Sequence, residues 1–290
     1  MNLNDLLAKQ SIDPSLVVVM RHRPFEEELR QILPWLAAEK PRLYNAYQQS
    51  RYERQEKALS RARYIVSLIG HEPDRALFVG VYKVGATRTL SRKQFWEIPA
   101  NLDLRSFGMT GFSENDKRNS TLLFELDQTD VYAKWKGKLV LGWPGGGRTW
   151  CRWAERNEFP VEAILDESLL VRAMPIAEEL RLSWKELTAL PKSWGISLSQ
   201  WRGIYLIVDA SDGKGYVGSA YGADNLHRRW LSYGASGHGG NKRLRERDPY
   251  NFRFSILQLL AQDTESEQVL RIESNWKERL HTRKFGLNDN

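Results

Sequence analysis

The chain has 290 residues, of which 41% are apolar, and a formal net charge of +7. This length predicts about two domains, and the basic balance favours a polyanionic partner such as nucleic acid. The one cysteine, Cys151, excludes an intrachain disulfide and a thiolate metal cage. No apolar run approaches the roughly 18 residues of a membrane span, and the first residues lack the pattern of a signal peptide. We therefore expect a cytoplasmic protein without a membrane partner.

The N-terminal segment predicts a strand followed by two helices. Residues 15–20 are a short apolar run, which is typical of a buried strand. A proline at the start of residues 24–36 favours a helix there, and residues 43–61 predict a second helix with a basic outer face. The basic residues at 21–23 either contact phosphate or form a solvated strand end, and both alternatives stay open.

After these helices the pattern changes to short β-strands. Apolar and β-branched runs cover residues 63–70, 76–85, 121–126 and 138–143, and the glycines among them suit tight bends. Several short strands with glycine bends predict a small β-barrel. A polar insert with several aromatic residues, from about residue 88 to residue 117, interrupts the strands.

The phrases FVGVYKVG at residues 78–85 and GKLVLGWPGGGRTW at residues 137–150 make this segment similar to the PUA/EVE/ASCH-like barrels. The resemblance implies a nucleic-acid recognition domain, which in some members of these families holds an extruded modified base. Aromatic side chains that stack on a base contribute about 1–3 kcal/mol each. The insert supplies the candidates for such a modified-base pocket, Phe95, Trp96, Phe107 and Phe112. The alternative for each is a place in the barrel core or at a barrel end.

A helical connector with prolines at Pro175 and Pro191 follows the predicted barrel. We therefore predict a recognition domain at residues 1–170, a helical linker at 171–198 and a second domain at 199–290. The expected fold class is α+β, with N-terminal helices and a small PUA-like barrel ahead of the C-terminal domain.

Residues 203–218 predict a β-hairpin. Apolar, β-branched and aromatic residues fill the first arm, and the polar cluster DASDGK with its Asp-Gly pair predicts the turn. Gly215 then opens a second, antiparallel arm. Tyr205 and Tyr216 lie on the two arms, close enough to converge on one point. The alternative is a pair of tyrosines in a half-buried hairpin, because tyrosine is common in strands.

Further polar residues follow this hairpin in a fixed order. They are Arg229 before Trp230 in a helix, His238 and Asn241 in a His-x-x-Asn, Glu273 in a second helix, and Asn288 near the end. Together with the hairpin, this set resembles the GIY-YIG nuclease family, with YVG in place of YIG. The resemblance extends from about residue 200 to the C-terminus. It implies an α/β domain with a three-stranded antiparallel sheet flanked by helices.

The resemblance also implies a catalytic set for phosphodiester hydrolysis, which comprises Tyr205, Tyr216, Arg229, His238, Glu273 and Asn288. Such hydrolysis needs an activated water and a cation that neutralises the developing charge. Mg²⁺, or Mn²⁺, binds through one or two carboxylates plus water and phosphate, so Glu273 alone suffices as the metal ligand. Without the resemblance, Glu273 would be interpreted as an exposed helix carboxylate.

Roles within this set follow from side-chain chemistry. Arg229 presents a guanidinium fork to phosphate, and Arg228 beside it is the alternative. A nearby cation and Arg229 would favour a phenolate. Tyr205 is the expected general base, with Tyr216 ordering water and phosphate, and the reverse assignment stays open.

Two other members of the set have open roles. His238 acts as a general acid, binds phosphate or belongs to a surface loop. Asn288 orients the scissile phosphate or Tyr205, or is structural. We expect nucleic-acid contacts from neighbouring residues, namely Tyr233, Asn241, Lys242, Arg243 and Arg245. Asn241 is also expected to fix its loop, and the alternative for the basic residues is a solvated face.

The sequence therefore predicts a Mg²⁺-dependent DNA endonuclease of restriction type, which senses a modified base through its N-terminal domain. The alternatives are a nuclease of ordinary sequence specificity and a nucleic-acid-binding module that does not cleave. The expected partner is double-stranded DNA, with or without a base modification, and RNA is an alternative. One active site per chain fits either a homodimer or sequential nicking.

Overall fold

The computed structural model describes residues 1–145, 150–222, 225–236 and 241–289. The chain divides into two compact parts, Met1–Arg172 and Ala173–Asn290, which we call unit 1 and unit 2. Within the described ranges, no helix combines the length and apolar character needed to cross a membrane.

Unit 1 combines short helices with one mixed sheet. Its helices are α1 (Leu3–Lys9), α2 (Glu27–Glu39), α3 (Pro41–Gln48), α4 (Glu53–Leu59), α5 (Arg92–Trp96) and α6 (Pro99–Ser106). Its strands are β1 (Val17–His22), β2 (Tyr64–Glu72), β3 (Arg75–Ser91), β4 (Ser120–Gln128), β5 (Leu139–Gly142), β6 (Cys151–Trp153) and β7 (Val161–Ile164). The main apolar core joins α1 to the sheet and includes Leu7, Val19 and Phe78.

The sheet of unit 1 is organised around the long strand β3. The strand order is β6-β1-β2-β3-β5-β7, and β4 also pairs with β3. Only β1 and β2 are parallel among these pairs, with Val18 opposite Ile65. β5 pairs with β3 at residues 75–77 and β4 pairs with it at residues 82–91. Among the described residues, the strand pairs form an open path with β6 at one end and β7 at the other. The likeness to PUA/EVE/ASCH-like barrels stays a prediction.

The helix predicted for residues 43–61 is divided into α3 and α4. Between them, Ser50 pairs with Leu123 in an isolated β-bridge, and the Phe124 N–H donates to the Gln49 carbonyl at 2.8 Å. These backbone contacts with β4 take the chain out of the helical conformation.

Unit 2 is a four-stranded sheet with helices. Its helices are α7 (Trp184–Ala189), α8 (Lys192–Gln200), α9 (Asn225–Ser236), α10 (Lys242–Arg245) and α11 (Ser266–Arg279). Its strands are β8 (Arg181–Ser183), β9 (Arg202–Asp209), β10 (Gly215–Ala220) and β11 (Phe252–Leu260). The strand order is β10-β9-β11-β8, and every pair is antiparallel.

Helices cover both faces of this sheet. On one face, Ile204 and Val217 pack against Val269 of α11. On the other face, the Phe254 ring lies 5.3 Å from the Trp230 ring of α9, measured between centroids. The sheet therefore separates α9 from α11, and the predicted α+β fold class is confirmed.

The sheet has one strand more than the three expected. β8 belongs to the segment expected to be a helical linker, and it pairs with β11 through Leu182 opposite Phe254. Ser183 ends the strand and caps α7, because its side chain accepts from the Glu186 N–H while the Glu186 carboxylate accepts from the Ser183 N–H. A strand of three residues is too short to produce a recognisable alternation in the sequence.

Candidate active site

The β9–β10 hairpin brings both tyrosines of the predicted catalytic set to one face of the sheet. Tyr205 lies opposite Gly218, and Tyr216 lies opposite Ile207. Side chains alternate between the two faces along a strand, and cross-strand partners share a face. These four residues therefore point toward α9.

Helix α9 covers this face and adds a third tyrosine. Trp230 and Tyr233 are fully buried against Tyr205, and their ring centroids lie 6.1 and 6.2 Å from the Tyr205 ring. The hydroxyl oxygens of Tyr205 and Tyr233 are 2.6 Å apart, and Arg229 Nε donates to the Tyr205 hydroxyl at 3.2 Å. Arg228, the alternative to Arg229, is exposed. A permanently charged guanidinium is thus held against two linked phenols.

Burial controls the protonation of these tyrosines. It raises the pKa of Tyr205 and of Tyr216 above the usual value for tyrosine, and it raises the pKa of Tyr233 well above that value. The charge on Arg229 lowers the pKa of each phenol, but burial outweighs it. With protein groups alone the three hydroxyls are protonated at neutral pH, so Arg229 by itself does not produce the phenolate considered from the sequence.

Glu273 approaches from α11, at the β10 edge of the sheet. Its carboxylate accepts a hydrogen bond from Ser219 Oγ and forms an ion pair with Lys277 Nζ at 2.7 Å, one helical turn further on. Both side chains of this pair are largely buried. The Glu273 charge is also one of the smaller causes that raise the pKa of Tyr216.

The donor set fits a hard divalent cation that keeps most of its own water. Among the described residues, no group of three or more His, Cys, Asp or Glu side chains could form a metal cage. Mg²⁺ does not require one, because one or two carboxylates plus water and phosphate are enough. Glu273 is the carboxylate that would hold it, and the cation would share that carboxylate with Lys277.

Asn288 is buried and bonds to the backbone of β10. The Val217 N–H donates to Asn288 Oδ1 at 2.9 Å, and Asn288 Nδ2 donates to the Val217 carbonyl at 2.8 Å. Val217 lies between Tyr216 and Gly218, so the amide fixes the strand that carries the second tyrosine. A contact between Asn288 and the scissile phosphate stays a prediction.

The predicted nucleic-acid-binding residues have different surroundings. Asn241 caps α10, since its Oδ1 accepts from two backbone N–H groups, the nearer at 2.8 Å. Arg243 pairs with Asp289, whereas Lys242 and Arg245 are exposed. The structure thus gives Asn241 a capping role, and DNA contacts by this group stay a prediction.

Two other predicted residues need separate mention. Tyr233 is expected to contact nucleic acid, but the structure buries it completely and bonds its hydroxyl to Tyr205. Tyr233 therefore orients another site residue. His238 lies outside the described residues.

Of the four aromatic residues predicted for a modified-base pocket, three pack with one another, and the fourth, Phe107, has Lys40 Nζ 5.6 Å from its ring centroid. The Phe95 ring lies edge-on to Trp96 and Phe112, with centroids 4.9 and 6.2 Å apart, and Trp96 Nε1 donates to the Phe112 carbonyl at 3.0 Å. Phe95, Phe107 and Phe112 are buried. Only Phe112 of the four lines the cavity that unit 1 contains, together with residues such as Tyr47.

Three residues of the site are absent from the sequence-based set. Gly218 ends the YVG motif and has no reactive group, and Ser219 follows it directly. Lys277 follows Glu273 at i+4, the spacing at which opposite charges pair on a helix. That spacing is the one signal that could have predicted the ion pair.

Comparisons with known proteins identify this region. One similar solved structure is the catalytic domain of the homing endonuclease I-TevI, which is 25% identical, has a TM-score of 0.27, and aligns over 31% of this chain and 98% of that chain. Another is a mutant of the catalytic domain of the intron endonuclease I-TevI, which is 23% identical, has a TM-score of 0.28, and aligns over 31% of this chain and 95% of that chain. No match was found among curated proteins. Residues 202–288 match the family profile of the GIY-YIG catalytic domain. The protein therefore carries a GIY-YIG nuclease domain over residues 202–288.

Proposed function

We propose that the protein is a divalent-metal-dependent DNA endonuclease of restriction type, in which unit 2 cleaves and unit 1 selects DNA through a modified base. The observation that supports the cleavage half is the hydrogen-bonded cluster of Arg229, Tyr205 and Tyr233, with the Tyr216 ring 5.9 Å from the Tyr233 ring between centroids. A permanent cation and phenols are thereby brought together in a nuclease domain that also carries the Glu273 carboxylate on α11. The net charge of +7 supports a polyanionic substrate.

Each of these groups has a part in phosphodiester hydrolysis. Arg229 binds a phosphate oxygen through its guanidinium. The phenolate fraction of Tyr205, or of Tyr216 in the reverse assignment, accepts the proton of the attacking water and becomes the neutral phenol, and Tyr233 orients Tyr205 through the hydroxyl contact. Mg²⁺ or Mn²⁺ bound at Glu273 would neutralise the charge that develops on the phosphate.

Residues outside the cluster position the duplex in this proposal. Lys242 and Arg245 are exposed cations at the first and last positions of α10 and would contact backbone phosphates without reading sequence. One active site per chain means that a double-strand break requires either a homodimer or two successive nicks.

The test is digestion of matched DNA duplexes, with and without modified bases, in Mg²⁺ and in EDTA. We expect cleavage only with the divalent cation, and faster cleavage of the modified duplex. Glu273→Gln should lose at least about 100-fold in cleavage rate, since it removes the charge that would bind the cation. Glu278→Gln, an exposed glutamate on the same helix, is the matched control and should cleave like the wild type.

Two outcomes would change the proposal. Equal cleavage of both duplexes would favour a nuclease of ordinary sequence specificity, in which unit 1 only clamps DNA. A Glu273→Gln protein that cleaves at the wild-type rate would remove the carboxylate from the mechanism.

A further inference from the structure

Unit 1 contains a cavity of about 130 Å³ with aromatic walls and a guanidinium in its lining. Tyr47, Tyr52, Phe112 and Trp150 supply aromatic surface, and the charged residues of the lining are Arg23, Glu26, Arg51 and Arg118. Arg51 and Tyr52 occupy the break between α3 and α4, where backbone contacts with β4 hold the chain in a fixed, non-helical conformation. A cavity built on such a fixed segment can hold a ligand in one orientation.

The Arg51 guanidinium has donors to spare. It lies 4.9 Å from the Tyr47 ring centroid and 5.4 Å from the Trp150 centroid. One nitrogen donates to the Tyr47 carbonyl at 2.9 Å and another to His22 Nδ1 at 3.2 Å, whereas Nε is sealed from solvent without a hydrogen-bond partner. A guanidinium carries five N–H donors, and no carboxylate pairs with Arg51 in the part of the chain described. Each terminal nitrogen therefore keeps one further N–H for an acceptor in the cavity, whereas the sealed Nε is out of reach of a ligand there.

A buried relay fixes the orientation of this guanidinium. Because His22 Nδ1 accepts from Arg51, the imidazole proton resides on Nε2, which donates to Gln48 Oε1 at 3.3 Å. The same Gln48 oxygen accepts from Ser67 Oγ at 2.8 Å, and the Tyr44 hydroxyl lies 2.7 Å from Ser67 Oγ. His22, Gln48, Ser67 and Tyr44 are all buried. Such a satisfied network holds one geometry, as a recognition group requires.

The mouth of the cavity adds two exposed aromatic side chains. Phe25 is 86% exposed and Tyr52 is 57% exposed, and both line the cavity. Exposed aromatic rings at such a position can stack on a base or fill the gap that an extruded base leaves in a duplex. Arg23, also exposed, lies at the same place and adds a phosphate-binding charge.

We propose that this cavity is a nucleobase receptor, in which aromatic rings stack on the base while the Arg51 fork donates to two adjacent acceptors of its edge. The O6/N7 edge of guanine is the base edge that arginine binds most often in this way. A bare phosphate needs no aromatic walls, whereas a planar heterocycle with acceptors uses both features. That the base is extruded from DNA rests on the proposed function. A free nucleotide would present the same base chemistry to the cavity.

The experiment measures binding in EDTA by fluorescence anisotropy, so that no cleavage is required. The probes are a labelled duplex with a single-guanine bulge and the same duplex fully paired, with guanosine monophosphate as competitor. We expect the wild type to bind the bulged duplex about tenfold more tightly, since stacking of one base contributes that order of affinity. Arg51→Gln and Tyr52→Ala should abolish this preference and leave binding of the paired duplex unchanged.

Matched controls separate the cavity from general charge and folding effects. Arg88→Gln removes an exposed charge of unit 1 outside the cavity and should keep the preference, as should Phe285→Ala, which removes an exposed phenylalanine elsewhere. Tyr52 is exposed, so its variant tests the proposal even if Arg51→Gln does not fold. A third result is possible, in which the wild type shows no bulge preference but binds guanosine monophosphate, and Arg51→Gln and Tyr52→Ala do not bind it. This result would support the receptor and assign a free nucleotide as its ligand.

A bulge preference that survives in both Arg51→Gln and Tyr52→Ala would overturn the receptor. The absence of any bulge preference together with no binding of guanosine monophosphate would also overturn it. Failure of cleavage in Mg²⁺, in contrast, would refute only the proposed function, because these binding measurements use neither the metal nor the reaction.

Discussion

A Cβ atom placed on Gly218 would lie 2.6 Å from the Tyr205 hydroxyl oxygen and 2.9 Å from Tyr216 Cε1. Both distances are shorter than a carbon atom can approach without displacing its neighbours. The space of the missing side chain is therefore the point at which the two tyrosines converge. The YVG motif therefore ends in glycine because two side chains approach that position closely. The backbone of Gly218 is not in the left-handed conformation that would by itself favour glycine.

Gly218→Ala should therefore misplace the tyrosines and reduce DNA cleavage about 100-fold, the order expected for a displacement of about 1 Å at a catalytic group. The measurement is the single-turnover cleavage rate on a fixed duplex. Gly222→Ala is the matched control, because a Cβ there would have no neighbour within 4 Å, and it should cleave like the wild type. Equal rates for the two variants would contradict the packing argument.

Part of this site could be predicted from the sequence because its signals are local. The hairpin has alternating residues and an Asp-Gly turn, so the sequence places Tyr205 and Tyr216 on neighbouring strands. The order of the later residues, from Arg229 to Glu273, supplied the resemblance to the nuclease family. Most strands of unit 1 were equally visible, since they include runs of apolar and β-branched residues.

The remainder depends on contacts between residues distant in sequence. The break after α3 is set by backbone bonds to β4, and nothing within residues 43–61 signals it. The burial that raises the pKa of Tyr205 depends on how α9 packs over the sheet. The cavity around Arg51 collects residues from His22 to Trp150, whereas the sequence pointed separately to the basic residues at 21–23 and to the aromatic residues of one insert.

The ion pair between Glu273 and Lys277 should be energetically coupled. Lys277→Met leaves the largely buried Glu273 carboxylate without that cation, and loss of one partner of a buried pair costs about 3 kcal/mol of unfolding free energy. The double variant Glu273→Gln/Lys277→Met should recover part of the loss. Urea denaturation of the wild type, Glu273→Gln, Lys277→Met and the double variant gives the coupling energy.

An exposed pair of the same spacing provides the comparison. Glu53 and Lys57 are 2.8 Å apart, also at i, i+4, but both are solvent-exposed, so Lys57→Met should cost no more than about 0.5 kcal/mol. If Lys277→Met costs as little, the carboxylate is not held by the lysine in solution.

The general base can be identified from the pH dependence of cleavage. Burial raises the pKa of Tyr205 and Tyr216, so the phenolate fraction is small at neutral pH and increases about tenfold per pH unit below the pKa. The rate should therefore rise with pH up to the limit of protein stability. Replacing the base by phenylalanine should remove this rise and lower the rate by about 100-fold or more.

Tyr205→Phe and Tyr216→Phe are each other's control in this experiment. If Tyr205 is the base, only Tyr205→Phe gives a flat profile, and Tyr216→Phe keeps the slope at a lower rate. The opposite pattern would reverse the assignment, and two sloping profiles would exclude both phenols as the base.

The buried relay of unit 1 should make its stability sensitive to acid. Burial, with a contribution from the Arg51 charge, holds the pKa of His22 well below the usual value of histidine. The folded state therefore binds the imidazole proton less readily than the unfolded state does. The stability from a neutral His22 is fully present above about pH 6.5, and is lost as the pH falls, by at most about 1.4 kcal/mol per pH unit.

Hydrogen exchange of the amides that pair β1 with β2 measures the stability of unit 1, because these amides exchange when the sheet opens. Protection should decrease between pH 7 and pH 5 in the wild type, once intrinsic exchange rates are corrected. His22→Gln should be less stable at pH 7, because it loses the fit to Arg51, but should show little further decrease on acidification. His281→Asn replaces an exposed histidine with a residue that tolerates its positive φ of 53°, so this control should keep the wild-type decrease in protection. If His22→Gln is as sensitive to acid as the wild type, the acid sensitivity belongs to other groups.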